Sequence, residues 1–149
     1  MEFAGTYDFA QDRATVWRAL NDPDILRETI PGCTAVDQTG EGAYTAHLKL
    51  KFGLLRFGTE GNLRVEVLEP AKSYRLHGQS AQTMFGAGAG VAEVTLNDLP
   101  DGGTHLAYDV TSTLEGRLAN LGANLVGTQI QSLGHHFFER FEAAMIAAI

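Results

Sequence analysis

The strongest constraint on this sequence is its final segment, which has the apolar spacing of one long helix. The helical spacing predicts a helix from about Arg117 to Ile149, with a length of about 50 Å at about 1.5 Å per residue. Seven strand-like segments with alternating apolar and polar residues come before it. A helix this long is suited to cover the apolar face of one sheet. The apolar residues of the predicted helix that should face the sheet are Leu118, Leu121, Leu125, Leu133, Phe137, Phe141 and Met145.

Turn residues divide the rest of the chain into short elements. Phe3 to Phe9 alternates like a first strand, and Asp12 precedes a short helix. Asp22-Pro23 opens a second short helix, which Pro31-Gly32 ends. Because the later strands are joined by short turns, they should form an antiparallel meander. Those strands are predicted at Thr34 to Asp37, Ala43 to Phe52, Arg56 to Leu68, Ser73 to Gln82, Val91 to Asn97 and Thr104 to Leu114.

Length and charge exclude several classes of protein. The 149 residues predict a single domain spanning 1–149, with 44% hydrophobic and 19% charged residues. The net charge of -7 makes a nucleic-acid partner unsuitable, because phosphate backbones require basic surfaces. The single cysteine, Cys33, excludes an internal disulfide and a cysteine-rich zinc site. Without a signal peptide or a long apolar run, the chain is predicted to be cytoplasmic.

Strand alternation predicts that titratable side chains on the strands face outwards. The inner face is then apolar with a few hydroxyl groups, and it offers no inward acid, base or activated nucleophile. One end of that face is bulky and the other is small, and the small residues leave volume beneath the helix. We expect a ligand cavity there, with a collapsed core as the alternative. The small end comprises Thr59, Gly61, Gly78, Ser80, Gly90, Ala92 and Ser112.

Two predicted hairpin tips are unusually apolar. Phe52 to Phe57 connects two strands, and Met84-Phe85 precedes a glycine-rich run. Exposed tips are normally polar, so these tips indicate a pocket mouth, a partner contact or shallow membrane contact. The alternative is that they fold back onto Trp17 and Ile30.

Two motifs that resemble chemical sites have simpler interpretations. Gly86 to Gly90 lacks the Lys-Ser/Thr of a phosphate-binding loop, and a strand follows it, so a flexible hairpin is predicted. His135 and His136 are adjacent on the helix and point about 100° apart, so they cannot chelate one metal ion together. We therefore predict neither a metal site nor a catalytic residue.

Several segments of the chain resemble one known family. Asn21-Asp22-Pro23-Asp24-Ile25-Leu26, followed by Ile30-Pro31-Gly32-Cys33, is similar to the signature of the G subunits of carbon monoxide dehydrogenase. The glycine-rich Gly86 to Gly90 segment also matches. So do Gly116 to Gly122 and Phe137 to Phe141 near the end. More loosely, the chain resembles the START and polyketide-cyclase-like superfamily.

The resemblance implies an α+β helix-grip fold: a curved antiparallel sheet of about seven strands around the C-terminal helix, with two short helices after the first strand. It implies association with a molybdenum hydroxylase of the carbon monoxide dehydrogenase type, and recruitment of that enzyme to the inner face of the membrane. Relatives continue past the helix into a membrane-binding segment, which the 149 residues do not include.

The leading hypothesis is an accessory protein that binds a hydrophobic small molecule and is not itself an enzyme. An isoprenoid quinone is the expected ligand, and no other cofactor is expected. One alternative is a cyclase or hydrolase, with His77 or Glu60 turned inwards by a strand bulge. The other is an assembly factor that acts only through protein contacts. The predicted ligand-binding residues are Trp17, Ile30, Phe57, Thr59, Gly61, Leu76, Gly78, Ser80, Met84, Phe85, Ala92, Tyr108, Ser112, Leu118, Leu121 and Leu125.

Overall fold

The computed structural model describes residues 2–30, 32–52, 55–81, 86–115 and 128–148. Strands and helices follow the order that the sequence predicts. They are β1 Glu2–Phe9, α1 Arg13–Leu20, α2 Pro23–Thr29, β2 Cys33–Gly40, β3 Ala43–Phe52, β4 Leu55–Glu69, β5 Ser73–Ser80, β6 Gly88–Asp98, β7 Thr104–Leu114 and α3 Thr128–Ala147.

All seven strands form one antiparallel sheet with the order β1-β7-β6-β5-β4-β3-β2. Strands β2 to β7 are a meander, in which each strand pairs with its neighbour in the sequence. Strand β1 pairs with β7 at the far end, and Gly5 lies opposite Tyr108. The two short helices therefore lie on the connection between the two edge strands.

Both short helices begin where the sequence predicts. The side chain of Asp22 accepts a hydrogen bond from the Asp24 amide at 2.9 Å, which caps α2 ahead of Pro23. Asp12 occupies the N-cap position of α1, but its carboxylate accepts from the hydroxyl of Thr15 instead of from a backbone amide. That side-chain bond still satisfies the carboxylate within the first turn of the helix.

The core lies at one end of the sheet, between its inner face and α3. Leu96, Leu106 and Phe141 are completely buried there. Helix α1 contributes Val16 and α2 contributes Ile25 to the same cluster. Apolar burial of this kind is the main favourable contribution to folding, and the buried residues of the described ranges cluster at this end of the sheet.

The sequence prediction made two strands too short by three residues at one end. Strand β2 ends at Gly40 and not at Asp37. Strand β6 begins at Gly88, whereas the prediction started it at Val91 and assigned Gly88 and Gly90 to a hairpin. A Cβ atom added at Gly90 would lie 3.1 Å from the Thr111 carbonyl oxygen, so the close neighbouring strand favours glycine there. The predicted helix start at Arg117 lies outside the described residues, and α3 is described from Thr128.

Candidate functional site

The strand register gathers small residues of four strands into one area of the inner face. Ser80 lies opposite Gly61, and Gly78 lies opposite Gly90. Gly90 in turn lies opposite Ser112. We call this area the small-residue patch. It comprises Gly61, Gly78, Ser80, Gly88, Gly90 and Ser112.

Among the described residues, nothing crowds part of the patch. A Cβ atom added at Gly61 would meet, among the described atoms, only the Gln79 carbonyl oxygen at 3.9 Å. At Gly78 the nearest described atom would be Cδ2 of Leu63 at 3.5 Å, an ordinary contact. Leu63 and Leu76 face inwards beside the patch and yet stay only half-buried. Inward apolar side chains that keep accessible surface are a property of ligand sites.

Two hydroxyl groups on the inner face lack hydrogen-bond partners among the described residues, and only one of them is beside the patch. The Oγ1 atom of Thr59 is buried and has no partner within the described part of the chain. The Tyr108 hydroxyl also makes no hydrogen bond there, but Tyr108 lies in the row of Tyr74 and Val94, in the packed half of the protein, where burial raises its pKa. Ser80 differs, because its Oγ accepts from the Gly88 amide at 2.7 Å. A buried polar group without a partner costs about 1–3 kcal/mol, so Thr59 calls for an explanation.

Close packing fixes the position of the Tyr108 hydroxyl. A Cβ atom at Gly134 of α3 would lie 2.5 Å from that oxygen, and a Cβ atom at Gly5 of β1 would lie 2.6 Å from ring carbon Cζ. The ring of Phe138, also on α3, has its centre 5.5 Å from that of the Tyr108 ring. Glycines on two elements thus make room for one tyrosine, which packs against the core.

Sequence reasoning missed Gly5 and Phe138 as neighbours of Tyr108. The prediction assigned Phe137 and Phe141 to the sheet-facing stripe, whereas Phe138 is more buried than Phe137 and contacts Phe9. The signal was present, because an apolar stripe on a helix is more than 100° wide and includes an adjacent residue.

The other predicted ligand-binding residues are distributed unevenly. Ala92 lies beside Leu76 at the edge of the patch. The ring of Trp17 instead packs edge-on against the ring of Tyr74, with the ring centres 5.4 Å apart, in the packed half of the protein. Ile30 ends α2, half-buried, three residues before Cys33 pairs with Leu48. The structure therefore brings Ala92 to the patch and places Trp17 elsewhere.

Six of the predicted ligand-binding residues have side chains outside the described part of the chain. Phe57 pairs with Leu50 through the backbone of β4 and β3, and its side chain is not described. The remaining predicted residues lie outside the described ranges; they are Met84, Phe85, Leu118, Leu121 and Leu125.

The titratable groups of the cyclase alternative lie on the outer face. Glu60 is exposed, and its carboxylate lies 3.4 Å from His47 Nδ1. His77 Nε2 lies 3.1 Å from Glu66 Oε1, beside Arg75. Neither residue is turned inwards, so the alternative loses the groups on which it depended.

No group of three or more potential metal ligands occurs in the described ranges, and no described helix is long and apolar enough to cross a membrane.

The model of one protein family matches residues 5–146, namely CoxG, the G subunit of carbon monoxide dehydrogenase. The chain belongs to the CoxG family. This match confirms the resemblance seen in the sequence. No curated protein matches the chain.

Solved structures confirm the helix-grip fold expected for this family. A conserved protein from Geobacillus kaustophilus matches with a TM-score of 0.88 and 22% identity, covering 99% of this chain and 97% of its own. Ara h 8.0201 matches with a TM-score of 0.67 and 11% identity, covering 99% and 98%. The di-domain ARO/CYC protein StfQ of the steffimycin biosynthetic pathway matches with a TM-score of 0.64 and 10% identity, covering 99% of this chain and 51% of StfQ.

Proposed function

We propose that this member of the CoxG family binds an isoprenoid quinone between its sheet and its C-terminal helix. The single observation that carries the proposal is the buried Thr59 hydroxyl without a partner in the described part of the chain, next to a patch of small residues. A quinone carbonyl would accept a hydrogen bond from Thr59, and its apolar tail would lie against inward side chains such as Leu63 and Leu76.

A quinone is a sensible ligand because of the groups that the site offers. The hydroxyl of Thr59 can donate to a carbonyl oxygen, and no carboxylate or imidazole of the described strands faces the ligand. Such a site stabilises a neutral acceptor of hydrogen bonds and has nothing to stabilise an ionic ligand. Burial of apolar surface then supplies most of the binding free energy, at about 25 cal/mol per Å².

The partner enzyme in this proposal follows from the family. The protein would serve a molybdenum hydroxylase of the carbon monoxide dehydrogenase type, in membrane recruitment or in electron transfer to quinone. The protein itself would be an accessory component, acting as a carrier of the quinone and not as a catalyst. Membrane contact would be peripheral, at the inner face of the membrane.

A calorimetric titration of the purified protein with a short-chain ubiquinone tests the ligand. We expect saturable binding that Gly61→Leu weakens at least about tenfold, because the new side chain occupies the space above the patch. Gly58→Leu is the matched control: Gly58 is exposed, on the outer face of the same strand, and should change the affinity less than about twofold.

The hydroxyl contribution is tested by Thr59→Val, which keeps the shape of the side chain and removes the donor. Loss of one buried hydrogen bond predicts about fivefold to tenfold weaker binding. Thr6→Val, on the exposed face of β1, is the control. Equal quinone affinity in the wild type and in both Gly61→Leu and Thr59→Val would refute this ligand site.

A further inference from the structure

The outer face of the sheet, opposite α3, carries a groove of about 670 Å³ that the proposed quinone site does not use. The groove follows two adjacent rows of cross-strand neighbours, and both rows end on threonines of β7. One row contains Arg64, His77 and Val91, and the next contains Asn62, Gln79 and Ala89.

The groove exists because side-chain sizes change from row to row. Its floor on β6 is made by Ala89 and Val91, which are shorter than their neighbours. The wall on one side is a row of paired charges, in which Arg75 lies 3.6 Å from Glu66 and 3.9 Å from Glu93. These ion pairs restrain the side chains that form the wall.

The lining of the groove differs in charge from the molecule as a whole: Arg64 contributes a positive charge, and the wall carboxylates of Glu66 and Glu93 are paired with Arg75. The chain has 18 acidic and 11 basic residues, yet none of the described residues that line the groove is Asp or Glu. Arg64 is exposed and makes no ion pair within the described ranges. The nearest carboxylate along its strand, Glu66, is hydrogen-bonded to His77 at 3.1 Å and paired with Arg75; the charge of Arg64 adds only the last of the effects that lower the pKa of Glu66. Arg64 is thus a cation available to a ligand from outside.

The shape of the groove favours an extended chain. Its lining runs from Thr39 of β2 to β7, and six neighbouring strands span about 24 Å at about 4.8 Å per step. An extended peptide of about six or seven residues has this length. The backbone of β4, β5 and β6 is paired on both sides, so a bound segment cannot join the sheet as a strand. It must be held by side chains, and the amides of Asn62 and Gln79 can both donate to and accept from a peptide backbone.

We propose that this groove binds an extended acidic segment of a partner protein, with Arg64 pairing with a carboxylate of that segment. Charge complementarity of this kind mainly sets specificity and association rate, so the affinity should fall as salt increases. The site lies on the face opposite the quinone site and stands independently of the proposed function.

Fluorescence anisotropy with a fluorescein-labelled peptide of sequence Glu-Gly-Glu-Ser-Glu-Gly tests the proposal at low ionic strength. We expect saturable binding to the full chain, weakened at least about tenfold by Arg64→Glu and by Ala89→Trp, which fills the floor of the groove. Arg140→Glu is the matched control, because Arg140 of α3 is also exposed and makes no ion pair in the described part of the chain. This variant changes the net charge equally and should alter the affinity less than about twofold.

Four results would overturn the proposal. They are an absence of saturable binding, an equal loss in Arg64→Glu and Arg140→Glu, equal binding of the corresponding lysine peptide, and equally tight binding of free glutarate. The last result would indicate a site for small anions. Quinone titration of Arg64→Glu separates the two proposals. This variant should bind quinone with unchanged affinity even where it no longer binds the acidic peptide.

Discussion

At the scale of single residues, the most informative contact is that of Tyr108 with two glycines. Gly134 lies close to the hydroxyl alone, whereas Gly5 also lies close to the carbons of the ring. The two glycines therefore respond differently to removal of the hydroxyl. This difference makes the placement of Tyr108 testable without any ligand.

We predict that Gly134→Ala destabilises the protein by about 1 kcal/mol or more, although alanine is the better helix former by about 1 kcal/mol. The cause is the contact of the new methyl group with the Tyr108 hydroxyl. In a Tyr108→Phe background that oxygen is gone, and the nearest ring carbon would be 3.5 Å away, an ordinary contact. In that background Gly134→Ala should leave the free energy of unfolding unchanged or raise it, as measured by urea denaturation.

Gly5→Ala provides the comparison. Its methyl group would lie 2.6 Å from Cζ of Tyr108, so Tyr108→Phe leaves the clash in place. The destabilisation should persist in the double variant. Rescue of both glycine variants, or of neither, would show that Tyr108 lies elsewhere.

At the scale of elements, α3 is fixed to β1 by Tyr7. The Tyr7 hydroxyl donates to Glu142 Oε1 at 3.1 Å, and its ring stacks with Phe138 at 5.6 Å. Burial, followed by the bond and the charge of Glu142, raises the pKa of Tyr7 to about 12. The helix is thus held at its C-terminal half by a bond that depends on a protonated tyrosine.

We predict that alkaline pH loosens this attachment. Because the pKa of Tyr7 in the folded state lies above the value of about 10 for an exposed tyrosine, its stabilising contribution is complete below pH 10. It is lost as the pH rises from about 10 towards 12, where the folded state also loses the proton. Urea midpoints measured across this range should fall less steeply for Tyr7→Phe than for the wild type.

Glu142→Gln separates the causes. The glutamine keeps an acceptor for Tyr7 and removes the charge, so part of the pH dependence should remain because burial persists. If the urea midpoint of Tyr7→Phe falls with pH as steeply as that of the wild type, other groups control alkaline unfolding. Tyr74 and Tyr108, whose pKa values burial also raises, are the next candidates.

At the scale of the whole molecule, the protein has a densely packed half and a half with small inner residues. Truncation should reveal this asymmetry. We predict that Leu106→Ala lowers the free energy of unfolding by about 2–5 kcal/mol, because Leu106 is fully buried in the core. Leu63→Ala, the same truncation at a half-buried inward leucine beside the small-residue patch, should cost less than about 2 kcal/mol. Equal costs measured by thermal or urea unfolding would contradict the division.

Most of the fold could be predicted from the sequence because its signals are local. The bounds of β3 and β7 were predicted correctly, since alternation and turn residues mark them. The start of β6 was wrong because Gly88 and Gly90 have no side chain to show alternation. Their place in a strand depends on the neighbouring β7, which local sequence cannot indicate.

The sequence by itself determined the order of elements, the antiparallel meander and the face on which each strand residue lies, because strand period and turn chemistry act within a few residues. Only the tertiary structure decided that Thr59 lacks a partner among the described residues, that Tyr108 lies between Gly5 and Gly134, and that small side chains form a groove on the outer face. These features depend on strand register and on the close approach of distant elements, and such contacts arise only when the whole chain packs together.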